Sequence, residues 1–162
     1  MKPDLNKRAA AFLDSARAAG LKIATAESCT GGMVAALLTS IAGSSDVVEC
    51  GFVTYSNTAK HKMLGVSEAI LVQHGAVSRE CAIAMAEGAL ANSAANVSVA
   101  ITGIAGPGGG SPAKPVGLVH FACARKNKPT LHRQENFGDM GRTAVREASV
   151  EVALALLEAQ AP

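Results

Sequence analysis

The sequence predicts an α/β layered sandwich: a mixed, mostly parallel sheet with an antiparallel edge and helices on both faces. Three observations carry that prediction. Short apolar runs at 21–26, 47–55 and 97–102 alternate with segments of helical periodicity, as strands and helices of parallel sheets do. Two more strand-like runs, 117–124 and 130–137, adjoin across a polar turn at 126–128, which argues for an antiparallel pair. A length of 162 residues, 49% of them hydrophobic, suffices for one core but not comfortably for two, so 1–162 reads as a single domain.

Each element follows from its pattern. Leu5, Ala9, Phe12, Leu13, Ala16 and Ala19 recur at helical spacing, and Gly20 stands at a C-terminal cap, which predicts a helix over 4–19. The strand at 21–26 runs into a helix over about 29–40, its regular part opening at Met33 and closed by Gly43. A second strand covers 47–55. Ser56-Asn57 caps a short helix at 58–64, ended by Gly65, and Ser67 begins another through Gln73, ended by His74-Gly75. Ser78 caps a longer helix to about Ser93, with Cys81, Ile83, Ala84, Met85, Gly88 and Leu90 on its apolar face. The strand at 97–102 leads into a glycine- and proline-rich loop at 103–115. The run at 130–137 alternates with charges, as an edge strand does. The last helix, 142–159, buries Val145, Val150, Ala153, Leu154 and Leu157.

Composition narrows the function. A net charge of +2 with scattered basic residues, one Tyr, four Phe and no Trp argues against a nucleic-acid partner. Cys29, Cys50, Cys81 and Cys123 form no C-x-x-C pair, so neither a zinc site nor a redox motif is indicated. No metal and no cofactor is expected. The first ten residues carry Lys2, Asp4, Lys7 and Arg8 without the apolar core of a signal peptide, and no run is long enough to span a bilayer. No membrane association and a cytoplasmic location are therefore expected. Positive mean hydropathy with few aromatics predicts apolar surface that a homo-oligomer could cover.

Ligands of such sheets gather at the carboxyl ends of parallel strands. Three loops fall at strand ends: the turn at Ser28, the turn Tyr55-Ser56-Asn57, and the loop at 103–115. If the three strands are parallel and adjacent, these loops share one cleft. A strand turning straight into a helix leaves the first helical N–H groups unpaired, a ready anion site. Ser28 and Cys29 place two potential nucleophiles there, and Gly31-Gly32 let a ligand approach the backbone. The plainer reading is that Ser28 or Thr30 only caps the helix.

Familiar catalytic patterns fail. Ala26 stands where the nucleophile elbow G-x-S-x-G needs glycine, the Gly-Lys-Ser/Thr ending of a P-loop is absent, and 103–110 does not match G-x-G-x-x-G. The string Ser111-Pro112-Ala113-Lys114 has S-x-x-K spacing, but Pro115 disfavours a helical Lys114. Lys60 is the better partner for Ser28. It lies one helical turn after Ser56 and can reach back over the strand end. Holding an ordinary lysine neutral at pH 7 costs about 4.6 kcal/mol. Desolvation and the positive end of the Ser28 helix would both lower that cost. Tyr55, the only tyrosine, could share or relay the proton.

Several stretches together resemble the CinA C-terminal family: Ala-Glu-Ser-Cys-Thr-Gly-Gly at 26–32, Ile-Ala-Gly-Ser-Ser at 41–45, Gly-Phe-Val-Thr-Tyr-Ser-Asn-x-x-Lys at 51–60, Gly-Ala-Val-Ser at 75–78, Thr-Gly-Ile-Ala-Gly-Pro-x-Gly-Gly at 102–110, and Lys-Pro-Val-Gly at 114–117. Stand-alone members of that family are nicotinamide-nucleotide amidases. The resemblance implies hydrolysis of the carboxamide of nicotinamide mononucleotide to nicotinate mononucleotide and ammonia, in pyridine nucleotide recycling. It implies Ser28 as nucleophile, Lys60 as base and Tyr55 as assisting hydroxyl, with a small-molecule nucleotide as the ligand. Ser45, Thr102 and Arg142 match positions associated with substrate binding. Amides around Cys29, Thr30 and Gly31 would hold the oxyanion, and Gly103 and Gly106 would contact the nucleotide.

Gly138-Asp139-Met140-Gly141-Arg142 carries two residues more than the family's usual Gly-Asp-Arg, so Arg142 and Arg146 both stand as phosphate candidates. His61 and Lys62 are basic neighbours of Lys60. Two other readings stay open: a Cys29 thiolate paired with His61 or His74, and a non-catalytic nucleotide-binding or competence/damage-associated module.

Overall fold

The structure, a computed structural model, describes residues 3–160; Met1 and Lys2, which fall in the stretch read above for a signal peptide, and Ala161 and Pro162 lie outside the described residues. The elements in chain order are α1 (Pro3–Ala18), β1 (Ile23–Glu27), α2 (Met33–Thr39), a 3-10 turn (Ser44–Asp46), β2 (Val48–Val53), α3 (Asn57–Leu64), α4 (Glu68–Gln73), α5 (Arg79–Ala91), β3 (Val97–Gly103), β4 (Leu118–Arg125), β5 (Lys128–Asn136) and α6 (Arg142–Gln160). The sheet order is β2-β1-β3-β4-β5. Strand β1 is parallel to β2 and to β3, whereas β3–β4 and β4–β5 are antiparallel. The three parallel strands are thus adjacent, and β5 is the antiparallel edge.

Alternation along each strand sends successive side chains to opposite faces. Ile23, Val97, Val99, Ile101, Val119 and Phe121 point to one face and pack with α1, α2 and α6. Ala24, Ala26, Ala100, Ala122 and Ala124 point to the other and pack with Cys81, Ala82, Met85, Ala86 and Ala89 of α5. The small side chains let α5 approach the sheet closely. Gly88 carries the closeness on to α3, since a Cβ there would lie 1.9 Å from the Leu64 carbonyl oxygen. Helix α3 is seated by that contact, and α3 carries Lys60.

Several boundaries shift for physical reasons. Strand β1 starts at Ile23 rather than Leu21, because the Leu21 N–H closes α1 on Ala16 O and the Lys22 N–H is held by Asn96 Oδ1. Helix α2 starts at Met33 rather than Cys29: Gly31 and Gly32, at φ +58° and +100°, are left-handed and cannot propagate a right-handed helix. Strand β2 stops at Val53, where the chain turns toward the Ser56 cap of α3. Caps at Ser56, Ser67 and Ser78 each accept an N–H three residues on, as expected. Among the described residues, no helix is long and apolar enough to cross a membrane.

Candidate active site

The parallel strands deliver the three loops to one cleft of about 230 Å³. Ser28 and Cys29 come from the first loop, Tyr55, Asn57 and Lys60 from the second, and Thr102, Gly103 and Ala105 from the third. Ala76 and Val77, before α5, and Arg142, opening α6, complete the wall.

Ser28 continues the ladder of β1. Its N–H donates to Ile101 O at 2.9 Å, and the Thr54 N–H donates to Glu27 O at 2.9 Å, so strand pairing fixes the backbone on both sides of the cleft floor. The turn that follows overturns the expectation of an open anion site. Glu27, wholly buried, accepts the N–H groups of Gly32 (3.1 Å), Val34 (3.1 Å) and Ala35 (2.9 Å). The N-terminus of α2 already holds a carboxylate from its own chain. Neither Ser28 nor Thr30 caps that helix; the buried Thr30 hydroxyl has no hydrogen-bond partner.

Lys60 is the other half of the site. It is 1% exposed, and its Nζ lies 2.9 Å from Ser28 Oγ and 2.8 Å from Thr54 O. A charged ammonium has three N–H donors, yet among the described residues two acceptors meet it, and neither is a carboxylate. With no carboxylate to hold a charge, a neutral amine suits the same two contacts: its lone pair can take the Ser28 hydroxyl proton while one N–H serves Thr54 O. Desolvation pushes the Lys60 pKa below the ordinary lysine range, and Cys81 and Cys29 oppose the shift. That opposition needs thiolates, and burial pushes both thiols up to about 11.

The remaining predicted residues divide. Tyr55 lines the cleft but is 62% exposed, and its hydroxyl accepts from Arg142 Nη2 at 2.9 Å. It does not bridge Ser28 and Lys60, which touch directly. Arg142 also donates from Nη1 to Gly106 O at 3.0 Å. Thr102 Oγ donates to Ala76 O at 2.7 Å and ties the 76–77 wall to the sheet. Gly103 is required by space, because a Cβ would lie 2.7 Å from the Val119 side chain. Thr30, Gly31 and Gly106 are not among the residues lining the cleft; the Thr30 and Gly106 carbonyls accept from Arg146 and Arg142, and the Gly31 N–H donates to Ser28 O. Ser45 is not brought to the cleft: it is exposed in the 3-10 turn before β2, at the opposite end of the sheet from the C-terminal edge of the strands.

Of the two arginines, Arg146 grips the Ser28 turn from behind, donating from Nε to Cys29 O at 3.0 Å and from Nη2 to Thr30 O at 3.1 Å. The thiolate reading loses both its imidazoles. His61 Nδ1 meets Val66 O at 2.8 Å, and His74 lies 3.7 Å from Glu80. The S-x-x-K string is not a dyad either, since Lys114 Nζ donates to His74 O rather than to Ser111. The roles of Glu27, the 76–77 wall and the grip of Arg146 escaped the sequence reading. Glu27 had one signal, a lone carboxylate ending an apolar strand just before unpaired helical amides.

These features define a class: an α/β sandwich with a buried hydroxyl–amine pair at the C-terminal edge of its parallel strands. The chain belongs to the CinA C-terminal domain family, which it matches over residues 5–161. It is 53% identical to the nicotinamide-nucleotide amidohydrolase PncC of Escherichia coli K12 over 142 residues, covering 87% of this chain and 85% of that protein. A putative competence-damage inducible protein of Caldicellulosiruptor bescii is 47% identical over 137 residues, 85% of this chain but 33% of the longer relative. The chain thus spans a third of such longer relatives. Among solved structures, the competence/damage inducible protein CihA from Agrobacterium tumefaciens superposes with a TM-score of 0.96 at 53% identity, covering 98% of this chain and 96% of that one.

Proposed function

We propose that this chain hydrolyses the carboxamide of nicotinamide mononucleotide, releasing ammonia and leaving nicotinate mononucleotide, with Ser28 as nucleophile and Lys60 as base. The observation that carries this reading is the buried 2.9 Å contact between Lys60 Nζ and Ser28 Oγ with no carboxylate beside it. The 53% identity to the E. coli amidohydrolase supports the substrate.

Ser28 Oγ attacks the amide carbon as its proton passes to Lys60 Nζ. Negative charge gathers on the amide oxygen, where backbone N–H groups stabilise it. The Gly31 N–H is engaged with Ser28 O at 3.1 Å, so Cys29 and Thr30 are the remaining donors of the turn. The Lys60 ammonium then protonates the leaving nitrogen, the C–N bond breaks and ammonia departs. Water attacks the acyl ester, giving its proton to Lys60, which returns it to Ser28 as nicotinate mononucleotide leaves. Arg142 meets the phosphate from the mouth of the cleft, and the Tyr55 hydroxyl, accepting from Arg142, orients it.

The single sheet with a helical layer on each face supports reading the chain as one amidase domain. Free cysteines suit a cytoplasmic home. The test is direct: incubate purified protein with nicotinamide mononucleotide and measure ammonia and nicotinate mononucleotide. Turnover that disappears in Ser28→Ala supports the reading. Binding without ammonia would instead indicate a nucleotide-binding module.

A further inference from the structure

The turn bearing Ser28 is held between opposite charges. Buried Glu27 takes the N–H groups that follow it, and Arg146 takes two consecutive carbonyls within it, those of Cys29 and Thr30. In a trans peptide the C=O and the next N–H point to opposite sides, so fixing a carbonyl aims the amide across from it. Capture of Thr30 O turns the Gly31 N–H away from Arg146, and that N–H is found on Ser28 O. Capture of Cys29 O turns the Thr30 N–H away in the same manner. Rotation of these planes is what decides whether an amide can meet a developing oxyanion.

We infer that Arg146 is a positioning residue for the oxyanion-binding Thr30 amide of the Ser28 turn and not a ligand of the substrate phosphate. This rests on the amidase reading above. Arg142 and Arg146 are one turn apart on α6, so they project to the same side. Arg142 lines the cleft, whereas Arg146 lies behind the turn with Nε and Nη2 both engaged. Its planar fork spans two carbonyls at once, which a lysine ammonium cannot reproduce with the same fixed geometry. A residue acting through the amides contributes chiefly in the transition state, so its loss lowers kcat and leaves KM little changed.

The experiment compares wild type, Arg146→Ala, Arg146→Lys and Arg142→Ala with two amides, nicotinamide mononucleotide and nicotinamide riboside, which lacks the phosphate. Thermal unfolding is recorded for each variant, and Arg146→Lys carries the measurement if Arg146→Ala does not fold. Both Arg146 variants are expected to lose about 10- to 100-fold in kcat, by the same factor on both substrates, whereas Arg142→Ala is penalised on the mononucleotide alone. A rise in KM confined to the mononucleotide in the Arg146 variants overturns the inference, as does an unchanged kcat. If the wild type releases no ammonia from the mononucleotide, the amidase reading fails by itself. If either amide is not turned over, labelling of Ser28 by a fluorophosphonate decides, since that reaction builds negative oxygen against the same amides. Slower labelling in Arg146→Lys than in wild type supports the inference, and equal rates overturn it.

Discussion

Replacing Lys60 with methionine keeps the length and apolar stem of the side chain and removes only the amine, which separates chemistry from stability. Two terms oppose each other in the folded protein. Holding a lysine neutral at pH 7 costs up to about 4.6 kcal/mol, and the variant is released from whatever part of that cost burial imposes. It also leaves Ser28 Oγ and Thr54 O without their present partner, about 1–3 kcal/mol for each. The two nearly cancel, so Lys60→Met should unfold within about 2 kcal/mol of wild type while ammonia release falls at least about a thousandfold. The sign with pH is also set. The folded pKa of Lys60 is lowered, so between it and the unfolded value near 10.4 the unfolded chain holds more protons. Stability of the wild type therefore rises with pH through that window and falls as pH drops toward the folded pKa. Lys60→Met lacks this slope, so its advantage over wild type is greatest at the low-pH end and shrinks toward pH of about 10.4. Urea unfolding from pH 7 to 10, beside an ammonia assay, reads both quantities. A uniform loss above about 3 kcal/mol would refute the reasoning, because it would mean the amine is a charged structural anchor.

Three further outcomes follow from the same geometry. Glu27→Gln replaces an acceptor of three N–H groups with an amide whose NH₂ opposes them, so unfolding in urea should show a loss of about 2–4 kcal/mol, with the rate lowered as the Ser28 turn loosens. Unchanged stability would mean those contacts are dispensable. In Gly88→Ala the new Cβ meets the Leu64 backbone, which cannot swing aside; about 1–3 kcal/mol of destabilisation is expected, and kcat should fall because α3 carries Lys60. Wild-type stability and kcat in that variant would show that α3 adjusts freely. His120 Nδ1 and His132 Nε2 lie 3.1 Å apart, and desolvation first, then neighbouring cations, lowers both pKa values. Their contribution to stability is complete above the unfolded value of about 6.5 and is lost as pH falls below it through the folded values, so the melting temperature should drop between pH 7 and 5 and drop less in His132→Gln.

The pairing of Ser28 with Lys60 was legible because each step rests on local chemistry. Ser56 and Gly65 bound α3, apolar runs mark the strands, and parallel strands bring their exits together. What escaped depends on turns and long-range contacts that periodicity does not encode. Glu27 ends a strand among apolar residues, and its role exists only because Gly31 and Gly32 turn left-handed and bring α2 back over it. Arg146 reaches the Ser28 turn because Gly138 and Gly141, at φ +72° and +90°, reverse the chain before α6, and helical periodicity is silent on that reversal. Ser45 came from the resemblance alone, and the topology sets it at the start of β2, where the strand enters the sheet rather than leaves it. His120 and His132 meet diagonally across β4–β5, since His120 is opposite Gln134 and Ala122 is opposite His132, a register that alternation does not fix.

The source of the neutral lysine is where the structure most changes the chemistry read from the sequence. The positive end of α2 was expected to help lower the Lys60 pKa, yet Glu27 sits on that end and offsets its charge. Arg146 is spread over two carbonyls behind the turn rather than aimed at the cleft. What remains is burial, the first cause of the shift, and α5 is part of the surrounding wall, since its Cys81 is near enough to act on Lys60. Reactivity at Ser28 thus depends on the packing of α5, which meets α3 directly at Gly88 and carries Cys81 close to Lys60. A polar substitution on that face that admits water beside Lys60 Nζ should raise its pKa toward the ordinary lysine value and move the rising limb of kcat/KM to higher pH, without altering any group that touches the substrate. A pH profile that stays in place after such a substitution would mean that the proximity of the two groups, rather than desolvation, keeps the base neutral.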